Sequence, residues 1–564
     1  MVTINSMTSL LETRRAQILS LGTFLTTIIV VTTTLMEPVN APKMLILSIT
    51  TFTLMGTLVI GTRKRFEVKK NPIAVLMIFF LPWLWISTLM SNQSFTHSFY
   101  GVFGRSTGTL TYTLLPILFL FSLTIRDSRN HLKILNALFY AGWINLGYFV
   151  LTLFGVEIFD WNNPTGRVLG TFGNSNFAGA FMALFSILCV TRALDSSLKR
   201  WIRIASLLGL IMALFEVYKS LAVQGYVIFI FGLTVLLFFF LRERSQKIYQ
   251  RLFLLGVPSI AILSVMALVN KGPLASLIYK PSITYRGYYW EAAWNVGLAN
   301  PIFGVGPDSF GIYFRQFRSL ASVEGVGLNT ATDAAHNVYL DILAYGGFPL
   351  FALYSLLQLL VLVSISRQIR QSTKIDFQFQ ALVALWLMYQ LQSLVSINQI
   401  GLAIWGWVLG GLILAREKDF GTSTSLTLIP KLKPANKNGQ LLPASYVLRM
   451  VLGFSVGLML AIPPVLADSN YFQAVKKRDA VLIEKYALAW PTNPIRIGDA
   501  ASIFLDSGFS EKALELAELG TQQFPDSFTA WKVLEKIPTR SKEQQMQIEK
   551  ALSVIDPLNP EYRD

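Results

Sequence analysis

The stretch AHNVYLDILAYGGFPLFALYSLLQLLVLVSI, residues 335–365, decides how the chain is read. His336 stands one residue ahead of an apolar run, 337–365, and about 20 such residues are enough to cross a bilayer. The solvent around that histidine follows from composition. Of the 564 residues 53% are hydrophobic and only 14% charged, and the mean hydropathy is +0.50. A soluble domain carries roughly 25% charged residues, so the chain is expected to thread the membrane many times.

Working outward from 337–365, apolar windows of roughly 20 residues fall near 16–36, 43–61, 72–90, 109–125, 134–154, 175–191, 202–216, 226–241 and 252–269, then 378–396, 401–415 and 448–466. With the first run this makes about thirteen spans. The expected fold class is all-α, a polytopic membrane protein. The run at 16–36 exceeds the usual signal-peptide core, and its one cleavage-like site, VNA, is followed by Pro42, so it is expected to stay in the membrane.

Lysine and arginine alternate between loops. TRKRFEVKKN (62–71), IRDSRNHLK (125–133), TRALDSSLKRWIR (191–203), LRERSQKIYQR (241–251) and SRQIRQSTK (366–374) are basic, and the loops between them carry few cations. The basic set is expected on the cytoplasmic side. That puts the N-terminus inside and, by odd parity, the C-terminus outside. Much of the net charge of +16 is then topology rather than a nucleic-acid footprint, so nucleic acid is excluded as a partner. One cysteine, Cys189, excludes an intrachain disulfide framework, and three histidines exclude a Cys/His metal cluster. Neither metal nor cofactor is expected.

The few cations on the other side stand out. Arg105 lies in YGVFGRSTGTLTY, Arg167 in GRVLGTFGNSNFAGAF, Lys219 in EVYKSLAVQGY, and Arg286 in TYRGYYWEAAWNVGLANPIFGVGPDSFG within the long loop 270–335. Singly, such residues snorkel to lipid headgroups. Together they suit a lipid diphosphate, because guanidinium supplies planar, bidentate donors to phosphate. Tyr285, Tyr288, Tyr289, Trp290 and Trp294 suit either an interfacial belt or sugar stacking. The glycines of GVGPDSFG follow no buried strand and read as a turn. Asp333 lies three residues before His336, on one face with it if the helix extends that far back, and would then orient the imidazole. The plainer alternative is a hydrogen-bonded histidine at a helix start.

GTFGNSNFAGAF, YRGYYWEAAWNVGLANPIFGVGPDSFG and AHNVYLDILAYGGFPLF, in this order among many spans, resemble the O-antigen ligase and polymerase superfamily over roughly 70–415, most strongly over 284–350. The resemblance implies a metal-independent membrane glycosyltransferase. It would move a glycan from an undecaprenyl-diphosphate carrier to a glycan, lipid or protein acceptor, outside the cytoplasm at the bacterial plasma membrane. It places the family histidine on His336, with Asn337 beside it, and the diphosphate-binding arginine on Arg286. A second family arginine is expected near 220–225, where SLAVQGY puts Gln224 in its place; Lys219 is a nearby substitute. Polymerisation of repeat units and transfer to a protein hydroxyl stay open, as do, from another class, a lipid-linked glycan transporter and a non-catalytic assembly scaffold.

Past the last span the composition turns amphipathic, and PTNP, FPDS and DPLNP recur at roughly 34-residue spacing, as in tetratricopeptide repeats. The expected organisation is a membrane domain over 1–416, a cytoplasmic linker over 417–446, a last span over 447–467 and a small extracytoplasmic helical domain over 468–564 that offers a surface to a protein partner.

Overall fold

The computed structural model describes residues 2–58, 72–161, 163, 166–244, 281–417 and 444–562, with isolated positions between 247 and 273. The span expected at 252–269 and the linker expected at 417–446 lie almost wholly outside the described residues. Among the described residues there is no strand. The helices are α1 (Val2–Ile28), α2 (Asn40–Met55), α3 (Pro72–Leu89), α4 (Phe95–Tyr100), α5 (Thr109–Ser122), α6 (Ser128–Leu153), α7 (Ser175–Leu194), α8 (Arg200–Ser220) and α9 (Val223–Glu243). Then come α10 (Pro281–Ala299), α11 (Phe310–Phe317), α12 (Leu320–Val326), α13 (Val338–Gln371), α14 (Phe377–Val395), α15 (Ile400–Ala415) and α16 (Ala444–Lys477). The chain closes on α17 (Ala480–Ala487), α18 (Pro494–Asp506), α19 (Ser510–Gln523), α20 (Phe528–Glu535) and α21 (Lys542–Ile555).

Among the described residues seven helices, α3, α6, α7, α8, α9, α13 and α16, are long and apolar enough to cross a membrane; α5 and α15 are apolar but shorter. The protein is an all-α polytopic membrane protein. The first expected span is shorter than read: α1 stops at Ile28 rather than continuing to 36. Two causes are visible. Residues 28–34, the β-branched run IIVVTTT, resist helix through restricted χ1 rotamers. The buried Lys43 ammonium also donates to the carbonyls of Thr26, Thr27 and Ile29 at 3.2, 2.7 and 3.1 Å, satisfying the groups a helix end leaves open.

α15 is buried along its whole length and forms the axis of the bundle, with Trp405 and Trp386 of α14 fully enclosed. Two glycines break α13 inside the apolar run: Gly346 and Gly347 have non-helical backbone, Gly347 at φ 66°. A Cβ on Gly347 would lie 2.4 Å from the Ile302 carbonyl, so the residue must be glycine for the 301–305 segment to approach. Phe348 N–H donates to the Pro301 carbonyl at 2.8 Å and Val305 N–H to that of Ala344 at 2.8 Å. The segment after α10 is thereby sewn to the upper half of α13, which carries His336 just ahead of it.

Among the described residues, parts of the basic loops meet at the opposite end of the bundle. There Arg242 donates to the Ile369 and Ser372 carbonyls, Arg416 pairs with Asp376 at 2.5 Å, and Gln378 donates to the Ser128 carbonyl at 2.7 Å.

α16 runs straight through the boundary expected at 467/468, so the span and the C-terminal region share one helix. Its last turns supply Tyr471 and Ala474 to a second core with Ala500, Leu516, Leu534 and Leu552. This second unit docks on the His336 end of the bundle. Asp556, fully buried, accepts from Arg315 at 2.9 Å and from Arg318 at 2.7 and 2.9 Å. Both arginines also donate to the Leu328 carbonyl at 2.9 Å, and the Arg315 guanidinium stands 3.8 Å over the Phe528 ring. Asp526 receives the Gln93 amide at 2.9 Å.

Removing the one carboxylate from this cluster leaves two buried cations without their counter-charge. Asp556→Ala is expected to destabilise the docked region by about 3–5 kcal/mol, seen as faster limited proteolysis of the full-length protein within 478–562. Lys512→Ala, which breaks the partly exposed pairs to Glu484 and Glu515, should cost no more than about 1 kcal/mol. Equal protease sensitivity of the two variants would show that the buried cluster does not hold the unit in place.

Candidate functional site

The site is assembled from loops, and Asp308 organises them. Its backbone is left-handed, φ 59°, and its side chain is buried. Oδ2 accepts the N–H groups of Val102 and Thr107 at 2.8 and 3.3 Å; Oδ1 accepts the Thr107 hydroxyl at 2.9 Å and the Tyr345 hydroxyl at 3.3 Å. Gly101 makes the approach possible, because a Cβ there would lie 2.3 Å from Oδ2. Burial pushes the Asp308 pKa up, opposed by the Thr107 and Val102 hydrogen bonds and by the charge of Arg105. The carboxylate thus folds the 101–108 loop so that it displays Arg105.

α10 carries Arg286, half-buried, whose Nη2 lies 3.5 Å from the Gln224 Oε1 at the start of α9; the Gln224 amide in turn donates to Gln392 of α14. Burial lowers the Arg286 pKa from its ordinary value, and the group stays cationic. Tyr289, one turn further on, stacks on the His336 ring at 5.7 Å and 30°. His336 itself is left-handed, φ 55°, and half-buried. Asn337 caps α13, its side chain accepting from Tyr339 and Leu340 N–H at 3.0 and 3.2 Å. Asp341 accepts the Ala335 N–H at 2.7 Å, which fixes the backbone immediately before His336. Between the Arg105 loop and this turn lies a small polar cavity of about 10 Å³, bordered by Arg105, Asp308, Asp341, Tyr112, Tyr345 and Asn398.

Burial above all, then the charges of Arg286 and Arg105, pulls the His336 pKa down to about 3. The imidazole is therefore neutral at every physiological pH, and two cations face it. Two guanidinium groups are suited to pair with an anion, and the neutral imidazole beside them offers a hydrogen-bond acceptor.

The structure brings together Arg105, Arg286, Gln224 and His336. Asp333 does not orient the imidazole through a shared helical face: the helix begins at Val338, and Asp333 pairs with Arg105 at 3.6 Å. The left-handed turn at His336 is what ends the helical register. Asn337 spends its side chain on the cap. Lys219 is exposed and lies 5.6 Å over the Phe215 ring. Arg167 is exposed in the loop before the Gly170–Phe172 turn, and its carbonyl accepts the Asn163 amide at 2.8 Å. Tyr285 and Tyr288 are half-buried on α10, with Tyr288 against Gly325 of α12. Sequence reasoning gave no organising role to Asp308, which sits in a stretch read as a turn, and did not single out Asp341. A carboxylate inside an otherwise apolar run is itself a signal of function. Among the described residues no group of three or more His, Cys, Asp or Glu is placed to hold a metal ion.

These features define a helical membrane protein in which two arginines and a neutral histidine meet where loops cap one end of the bundle. Residues 208–355 match the family model described as O-antigen ligase. The matched segment holds Gln224, Arg286 and His336, and it supports a role of the ligase and polymerase type in envelope glycan assembly. No curated protein matches the chain significantly.

The depressed His336 pKa has a pH signature. An unfolded histidine takes up its proton near about pH 6.5, while the folded one waits until about 3. Its contribution to stability is present above the unfolded value and is lost as pH falls toward the folded one. In kcat/KM, which reports the free enzyme, no inflection near about 6.5 is expected. An inflection there that His336→Asn removes would contradict the placement of this group.

Proposed function

We propose that the protein transfers a glycan from an undecaprenyl-diphosphate carrier to an acceptor hydroxyl outside the cytoplasm, as a metal-independent ligase. The observation that carries this reading is Arg286. Within the family-matched segment it is half-buried, and its described hydrogen-bond partner is the neutral Gln224 rather than a carboxylate. Its charge is left for a ligand. The clustering of basic loops at the far end of the bundle supports an extracytoplasmic location for the site and for the tetratricopeptide-like region 468–564.

In the reaction the bond between the sugar C1 and the carrier phosphate breaks, and a bond from the acceptor oxygen to C1 forms. Negative charge develops on the departing diphosphate, where Arg286 and Arg105 stabilise it in a preorganised, poorly solvated setting. The acceptor hydroxyl gives up its proton late. His336, held neutral, accepts that hydrogen bond and places the nucleophile; binding of the dianionic diphosphate neutralises the two cations that depress its basicity. Gln224 orients the Arg286 fork without adding a like charge.

The leading test is the lipid-linked saccharide that accumulates in cells lacking the protein. Complete chains are the expected result; single repeat units would make it a polymerase, and no build-up would refute transfer from the carrier. Arg286→Lys should recover little activity, since a point charge does not reproduce the planar fork, and His336→Ala should lower turnover by ~10²-fold or more while carrier lipid still binds. Transfer is expected to persist in excess chelator. Activity abolished by EDTA and restored by a divalent ion would refute metal independence.

A further inference from the structure

A second cleft lies on the other side of the Arg105 loop, between the membrane bundle and the C-terminal unit. It has a volume of about 80 Å³ and is bordered by Tyr100, Phe103, His97 and Asp468 on one side and by Thr492 and Arg496 on the other. Asp468 and Arg496 are buried, at 2% and 1% exposure. Each is only partly satisfied. Asp468 Oδ2 accepts the Glu37 N–H at 3.0 Å, but its Oδ1 has no partner. Arg496 donates through Nη2 to the Ala489 carbonyl at 2.8 Å and to that of Pro491, but its Nε has none. His97 Nε2 is likewise open. Three buried polar atoms left unmade around one cleft is a costly arrangement, each worth about 1–3 kcal/mol, unless something fills it.

The chemistry of the occupant is set by those atoms. Glu37 is consumed by the N–H groups of Val39, Asn40 and Ala41 at 3.2, 2.8 and 2.5 Å. Burial drives the His97 pKa down to about 4, so that ring is neutral. Among the residues that border the cleft, two carboxylates, Glu37 and Asp468, stand against one cation, Arg496, which disfavours phosphate and acidic sugars. An open acceptor at Asp468 and an open donor at Arg496 match a hydroxyl pair, one giving and one receiving a hydrogen bond. The half-buried Phe103 ring on the same wall suits the C–H face of a pyranose. We propose that this cleft is a subsite for a neutral saccharide, which it holds on the far side of the loop that displays Arg105. The inference rests on the transfer reading above. The sugar belongs either to the outer part of the carrier-linked glycan or to the acceptor.

Asp468→Asn keeps an oxygen for the Glu37 N–H and turns the open acceptor into a donor; Thr492→Trp fills the cleft. Neither touches Arg286, Arg105 or His336. Full-length parent and variant proteins in detergent are added to membranes from cells lacking the protein, and consumption of extracted lipid-linked saccharide is followed with donor and acceptor membranes varied in turn. Both variants, confirmed folded by unchanged limited proteolysis, are expected to raise one half-saturating amount by about tenfold, the scale of one charged hydrogen bond. A rise for the donor assigns the sugar to the carrier-linked glycan, and a rise for acceptor membranes assigns it to the acceptor. Parental half-saturation in both, or a fall in maximal rate alone, overturns the subsite. A parent that transfers nothing refutes the transfer reading itself, and the subsite with it.

Discussion

Asp308 is the interaction on which the functional end of the bundle depends. A buried carboxylate needs several hydrogen bonds to offset its desolvation, and this one draws them from the backbone of the 101–108 loop and from Tyr345 of α13. The result is mechanical. A loop that would otherwise follow its own turn preferences is pulled over the top of the bundle, with Arg105 on one side and Gly101 to Phe103 on the other. The left-handed backbone at Asp308 and the missing Cβ of Gly101 are the local cost of that geometry. Both the cationic site and the cleft beyond it take their walls from this one loop.

Charge is distributed around that loop unevenly. Arg105 is half-compensated by the exposed Asp333, while Arg286 faces a neutral amide. His336 between them cannot hold a proton of its own. An incoming dianion would therefore find its strongest uncompensated partner in Arg286 and would raise the basicity of the histidine by arriving. In the proposed reaction, binding and proton acceptance would be coupled through electrostatics alone, with no moving part required.

How much of this was readable from sequence depends on the physical scale of each feature. Span positions follow from hydropathy over roughly 20 residues, and they survive in α3, α5, α6, α7, α8, α9, α13, α14 and α15. The end of α1 did not, because it is set by Lys43, a residue from the next helix whose buried ammonium collects carbonyls that no local pattern shows. Arg105 and Arg286 could be nominated from their rarity on the cation-poor side, and His336 and Gln224 from the family resemblance. Their convergence could not be calculated, and the Asp333 to His336 pairing failed because helical spacing was applied where the backbone is left-handed. Asp308 was hidden for the same reason: among glycines, a turn residue and an organising carboxylate look alike.

The C-terminal unit ties these points together. Arg315 and Arg318 hold the Leu328 carbonyl, and that turn leads through Thr332 to His336; their shared counter-charge, Asp556, comes from the far end of the chain. The unit is thus joined to the segment that leads into the histidine, and through Asp468 and Arg496 it also closes the cleft behind Arg105. A peripheral helical domain needed only to capture a partner would dock through exposed, easily exchanged pairs. Here the docking charges are buried, and an ion cluster of that kind is an expensive way to gain stability. What it does provide is a fixed distance between the C-terminal unit and the His336 end of the bundle. A saccharide that bridges the cleft and the cationic site would experience the two as a single rigid surface.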